Sequence, residues 1–106
     1  RFFMEDEPEF DQKAVEKWFG EAHVPLLFDH LEAGLTGKSS VTHDEAEALV
    51  KGFATAHGME KLGPVVHPTR VALTGKTVGP GLFELMAVLG PERMRNRLAR
   101  ARTLLR

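Results

Sequence analysis

Arg70 has the most specific chemistry to offer in this 106-residue chain. A guanidinium is a planar fork of donors, able to meet the acceptors of a base edge or the oxygens of a phosphate. Gly75 follows five residues later as a left-handed helix stop, and Gly79-Pro80 opens another helix, with Pro80 at the first helical position. Backbone N–H groups near Gly79–Leu82 would be free donors at that helix start. Leu82 and Phe83, in its first turn, offer an apolar wall or a stacking surface. Arg70, the connection and this first turn could therefore surround one small polar site. Each residue has a plainer alternative: a surface salt bridge for Arg70, core packing for Leu82 and Phe83.

Other chemistry fails on spacing. His23, His30, His43, His57 and His67 are too far apart for a metal pair on one helix face. Two Gly-Lys-Ser/Thr strings occur, at Gly37 and Gly75, but a phosphate loop needs glycine five residues earlier. Those positions hold Glu32 and Arg70, so both strings read as turns after helices. There is no cysteine and no Gly-x-Ser-x-Gly nucleophile turn. Asp44, Glu45 and Glu47 suit a helix N-terminus favoured by its dipole. No catalytic, cofactor or metal residue is expected in this chain.

The elements that must position these residues are helices. Asp11 is an N-cap, and Ala14, Val15, Trp18 and Phe19 form an apolar stripe for a helix over 12–19. Trp18 reads most simply as core, with base stacking as the rarer alternative. A second helix starts at Val24-Pro25, buries Val24, Leu27, Phe28, Leu31 and Leu35, and stops at Gly34 and Gly37. Thr42-His43-Asp44-Glu45 is a capping box for a third helix, which ends near His57-Gly58. Residues 59–67 read as a loop or a short, Pro-interrupted helix leading into Arg70. Leu82, Leu85, Met86 and Leu89 mark the next helix face. Gly90-Pro91 separates it from a last helix whose seam is Met94, Leu98, Ala101 and Leu105. That helix carries Arg93, Arg95, Arg97, Arg100, Arg102 and Arg106 on its other faces. No segment alternates with the period of a strand. The fold class is all-α, a bundle of five or six short helices over 11–106. Residues 1–10, with Phe2-Phe3 and an acidic run, form a lead-in segment from a preceding domain.

A chain of this length buries a core unaided. Its 42% apolar content is ordinary for a globular domain, and no run approaches a membrane span. The net charge of −1 conceals a division. Residues 1–60 hold 13 acids against five Lys/Arg, a net −8, and residues 61–106 hold two against nine, a net +7. Such a division suits a polyanion-facing half; a solvated basic helix beside acidic neighbours is the alternative.

The stretch HPTRVALTGKTVGPGLFELMAVLG and the Arg-rich helix after it resemble a known pattern. It runs Pro, Arg-[VA]-Ala-Leu-Thr-Gly, a short loop, Pro-x-Leu-Phe-Glu, an apolar run and Leu-Gly. This is similar to the C-terminal anticodon-binding domain of bacterial glutamyl-tRNA synthetases, with the detailed match covering Pro68–Arg102. The resemblance implies a helical domain that reads the anticodon of tRNA(Glu) and joins preceding domains of the same synthetase. The parent would attach glutamate to tRNA using ATP and Mg²⁺, held in a Rossmann-type domain absent from this chain. By position, the resemblance assigns anticodon contacts to Arg70, Pro80, Leu82 and Phe83. Weaker RNA contacts fall to Lys76, Thr77, Gly79, Arg95 and Arg102. Gly79 departs from the family, where Ser or Thr is expected; only a backbone contact remains there. A cytoplasmic, monomeric, membrane-free protein is implied. The rival readings are a helical protein–protein interaction domain without nucleic-acid binding, and a small all-α enzyme.

Overall fold

The computed structural model describes residues 10–75 and 81–105. Five helices follow in order: α1 (Gln12–Trp18), α2 (Val24–Leu35), α3 (His43–Ala56), α4 (Gly63–Thr74) and α5 (Leu82–Arg102). Among the described residues there is no strand, and the all-α expectation holds. Phe2, Phe3, Lys76, Thr77, Gly79, Pro80 and Arg106 lie outside the described residues.

α1 and α3 begin where the side chains predict. Asp11 Oδ1 accepts the Lys13 N–H at 3.0 Å. Thr42 Oγ1 accepts the Glu45 N–H at 3.1 Å, and Glu45 Oε1 accepts the Thr42 N–H at 2.9 Å. The closed box satisfies two donors that a helix start otherwise leaves orphaned. α2 runs through Gly34 to Leu35, and the second of the two expected stops, Gly37, is the one in left-handed backbone, with φ 82°. A side chain at Gly34 would collide with Leu49 of α3, so the residue serves helix–helix approach rather than termination.

α4 is one helix across the stretch that sequence leaves between loop and interrupted helix. Pro64 in its first turn lacks only an N–H that would have been orphaned. Pro68 is more costly, because its ring removes the donor that would serve the Pro64 carbonyl. His23, at the N-cap of α2, replaces that donor: its Nε2 donates to Pro64 O at 2.7 Å. α4 ends as predicted at Gly75, whose φ of 84° is left-handed. The Gly75 N–H returns to Val71 O, and its carbonyl accepts the Asp11 N–H, both at 2.7 Å.

α5 starts at Leu82 with Gly81 as N-cap, two residues later than Pro80 suggested. It bends at Gly90 (φ 83°, ψ 162°), which divides it into two helical halves. Pro91 dictates the bend, since it disfavours helical backbone at the residue before it and has no N–H to give. The first half buries Leu82 and Met86, and the second buries Met94, Leu98 and Ala101 of the expected seam, while Leu105 lies past the helix end and is half-buried. α5 packs on α2, α3 and α4, while α1 packs on α4. Phe19, Phe28 and Phe53 are fully buried, with Phe19 edge-on to Phe28 at 5.5 Å between centroids. Phe10, the first described residue, sets its ring against Phe19 at 6.4 Å between centroids.

One arginine is misplaced by the sequence reading. Arg97 belongs to no outer face: it is 7% exposed, and its Nη1 donates to Leu73 O at 2.6 Å. The last carbonyls of a helix have no partner within it, and Arg97 supplies one to α4 from across the interior.

Candidate nucleic-acid interface

Arg70 lies on the half-exposed stripe of α4, one turn before Gly75. Thr74 Oγ1 donates to the Arg70 carbonyl at 2.7 Å, so the last turn is tied to the backbone that carries the guanidinium. The Gly75–Asp11 bond and the Arg97–Leu73 bond fix the end of this helix from two sides. The direction of the stripe is thus set by packing, and Arg70 and the start of α5 stand at the two ends of one connection.

Leu82 and Phe83 divide the two readings between them. Leu82 is 4% exposed and belongs to the core, so its side chain presents no wall to a ligand. Phe83 is half-buried, and its ring stands edge-on to His43 at 5.7 Å, which brings the start of α5 against the start of α3.

The C-terminal arginines separate as well. Arg102 Nη2 donates to Asp29 Oδ1 at 2.6 Å and also to Glu32 Oε1. Partial burial alone would lower its pKa; the hydrogen bonds and charges of the two carboxylates outweigh that and raise it. Its charge is spent on α2. Arg95 instead lines an open cavity of about 440 Å³ with Lys38, Ser39, Arg93 and Glu92, beside the Gly90 bend. Its Nε is buried and has no hydrogen-bond partner among the described residues. Lys38 and Arg95 bring positive charge to this wall, which suits an anion. Seven residues of helix, about 10 Å, separate Arg95 from Arg102.

A second cavity, of about 290 Å³, opens between α1 and α4, lined by Lys13, Lys17, Trp18 and His67 among others. Sequence reasoning placed Trp18 in the core, but it is half-buried and stacks on His67 at 5.0 Å between centroids. His43, Asp44 and Glu47 bring potential ligand atoms within 4.8 Å of one another at the exposed start of α3. Asp44 there also lies in the first turn, where an acid favours the helix dipole.

The family described as "Anticodon binding domain" matches residues 1–102. A glutamate–tRNA ligase of Syntrophobacter fumaroxidans is 40% identical over 101 residues, 95% of this chain and 21% of the relative. One from Thermus thermophilus is 46% identical over 99 residues, 93% of this chain and 20% of the relative. One from Rhodopseudomonas palustris is 47% identical over 73 residues, 69% of this chain and 15% of the relative. The chain spans about a fifth of the length of the first two relatives.

Proposed function

Since the chain belongs to the anticodon-binding domain family, we propose that it is the anticodon-reading module of a glutamate–tRNA ligase. The parent would join glutamate to tRNA(Glu) in the cytoplasm. ATP and Mg²⁺ chemistry would reside in the part of that protein outside this chain. The observation that carries the reading is the fixed end of α4. Arg70 lies on the half-exposed stripe of a helix whose end is held by Gly75, Asp11 and Arg97, and a half-buried aromatic, Phe83, stands in the first turn of the next helix.

Anticodon bases are unstacked and can be splayed, so a protein reads them by stacking and by hydrogen bonds to their Watson–Crick edges. The guanidinium of Arg70 supplies paired donors. Phe83 supplies a ring at the start of α5. Pro80 and the backbone at Gly79 complete this set by position, with Lys76 and Thr77 as phosphate contacts. Leu82 acts from beneath, as the core residue that seats the first turn of α5. Arg95, with Lys38, attracts the phosphate backbone without reading sequence.

The test is Arg70→Lys, which keeps the charge and loses the fork. By analogy with bidentate base reading in DNA, the lost contact costs about 1–3 kcal/mol of discrimination. In the longer ligase, aminoacylation kinetics on anticodon variants should show wild type preferring cytosine at the third base. The mutant should lose most of that preference, or of the preference at the middle base. Discrimination left intact at both bases would make Arg70 a structural or phosphate residue.

A further inference from the structure

We propose that the cavity between α1 and α4 is a second RNA subsite, which takes one unstacked nucleotide next to those read by Arg70. The inference rests on the anticodon-reading function and extends it to a surface that the family motif does not include. Its floor is Trp18 stacked on His67, and its rim carries Lys13 and Lys17. His67 and Arg70 are three residues apart, neighbours on one face of α4. The cavity is therefore continuous with the stripe that carries Arg70.

The chemistry of the lining is that of a single-strand site: an aromatic platform with cations beside it. The Lys17 Nζ now stands 5.1 Å from the centre of the indole. A lysine on a flexible stem is readily displaced from an aromatic ring by a base, because base–aromatic stacking is the stronger contact. Its ammonium then turns to the phosphate, which Lys13, one helical turn earlier, reaches from the same side. Asp11 adds one acid to the lining against the two lysines, and its Oδ1 is held as the N-cap of α1 by the Lys13 N–H. A volume of about 290 Å³ lies near the lower bound of small-molecule sites, about 300 Å³. It fits one planar base and excludes a stacked duplex. Lys13 and Lys17 are two of only five Lys/Arg in the otherwise acidic first 60, and both precede its one tryptophan within five residues.

Trp18 is the only tryptophan in the chain, so its emission reports on this cavity alone. The experiment titrates the 106-residue chain with a fluorescently labelled tRNA(Glu) anticodon stem-loop, following RNA anisotropy and Trp18 emission together. The expected result is binding accompanied by quenching of Trp18. Lys13→Gln with Lys17→Gln should weaken binding and lower the slope of log K against log salt by about 1.4, for two single-strand phosphates. Trp18→Ala should weaken binding about fivefold or more, at low and high salt alike, with Trp18→Phe restoring most of it. Neither change should alter which anticodon is preferred, whereas Arg70→Lys should alter it and leave the quenching in place. Binding with unchanged Trp18 emission, and with wild-type affinity in the lysine variant, would overturn the subsite and leave the anticodon reading standing. No binding by the wild-type chain would overturn both.

Discussion

His23 and Pro68 form a pair that neither residue announces. The proline deprives Pro64 O of its helical donor, and the histidine restores one at 2.7 Å from 41 residues away in sequence. A half-buried acceptor left without its partner costs about 1–2 kcal/mol, the lower part of the range for unsatisfied groups. His23→Ala should lower the urea unfolding free energy by that amount, and His23→Gln should recover part of it by donating from its amide. The decisive measurement is a double-mutant cycle with Pro68→Ala, which returns an N–H to the helix. In that background, His23→Ala should cost markedly less. Additive effects would show that the two residues stabilise α4 independently.

At the scale of elements, α5 depends on its bend. The φ of 83° and ψ of 162° at Gly90 lie in a region open almost solely to glycine. Among the described residues an added methyl group would meet nothing within 4 Å, so the cost of Gly90→Ala is backbone strain rather than a clash. Pro91 blocks the simplest escape, a helical residue 90. Gly90→Ala should therefore destabilise the domain by about 1–3 kcal/mol with little loss of helical circular dichroism. A stabilised variant would mean that the two halves can merge into a straight helix. The bend also decides which arginines face which neighbour. It lays the second half along α2, so that Arg102 meets Asp29 and Glu32 while Arg95 faces the loop at Lys38 and Ser39.

For the whole molecule, the division of charge is real in sequence but partly cancelled in space. Arg102 is neutralised by two acids of the acidic half, and Arg95 faces a cavity with Lys38. Their effects on tRNA binding should differ accordingly. Arg95→Gln should flatten the salt dependence of binding, by about 0.7–0.9 in slope if it meets one phosphate. Arg102→Gln should leave the slope nearly unchanged and instead cost about 0.2–1 kcal/mol of folding stability, the range for a partly exposed ion pair. Equal slopes for both variants and wild type would remove Arg95 from the phosphate surface. The same contrast shows what the sequence could say. Helix starts at Asp11 and Thr42, the stop at Gly75 and the buried seam of α5 are local patterns, and each was legible because its partners lie within a few residues. Arg97 to Leu73, Arg102 to Asp29 and His23 to Pro64 span 24, 73 and 41 residues. Periodicity cannot distinguish these residues from solvent-facing ones. The motif singles out Arg70 in the sequence, whereas the Trp18 cavity exists only once α1 and α4 are brought together.

The bond from the Asp11 N–H to Gly75 O also has a temporal meaning. It fastens the point where the chain comes into α1 to the point where it leaves α4. Amide exchange at Asp11 requires that bond to open, and the opening frees the foot of the helix that carries Arg70. The exchange rate of this one amide is therefore a clock for how often the end of α4 lets go. A ligand that grips both sides of the junction should slow that clock, even if it touches neither atom of the bond.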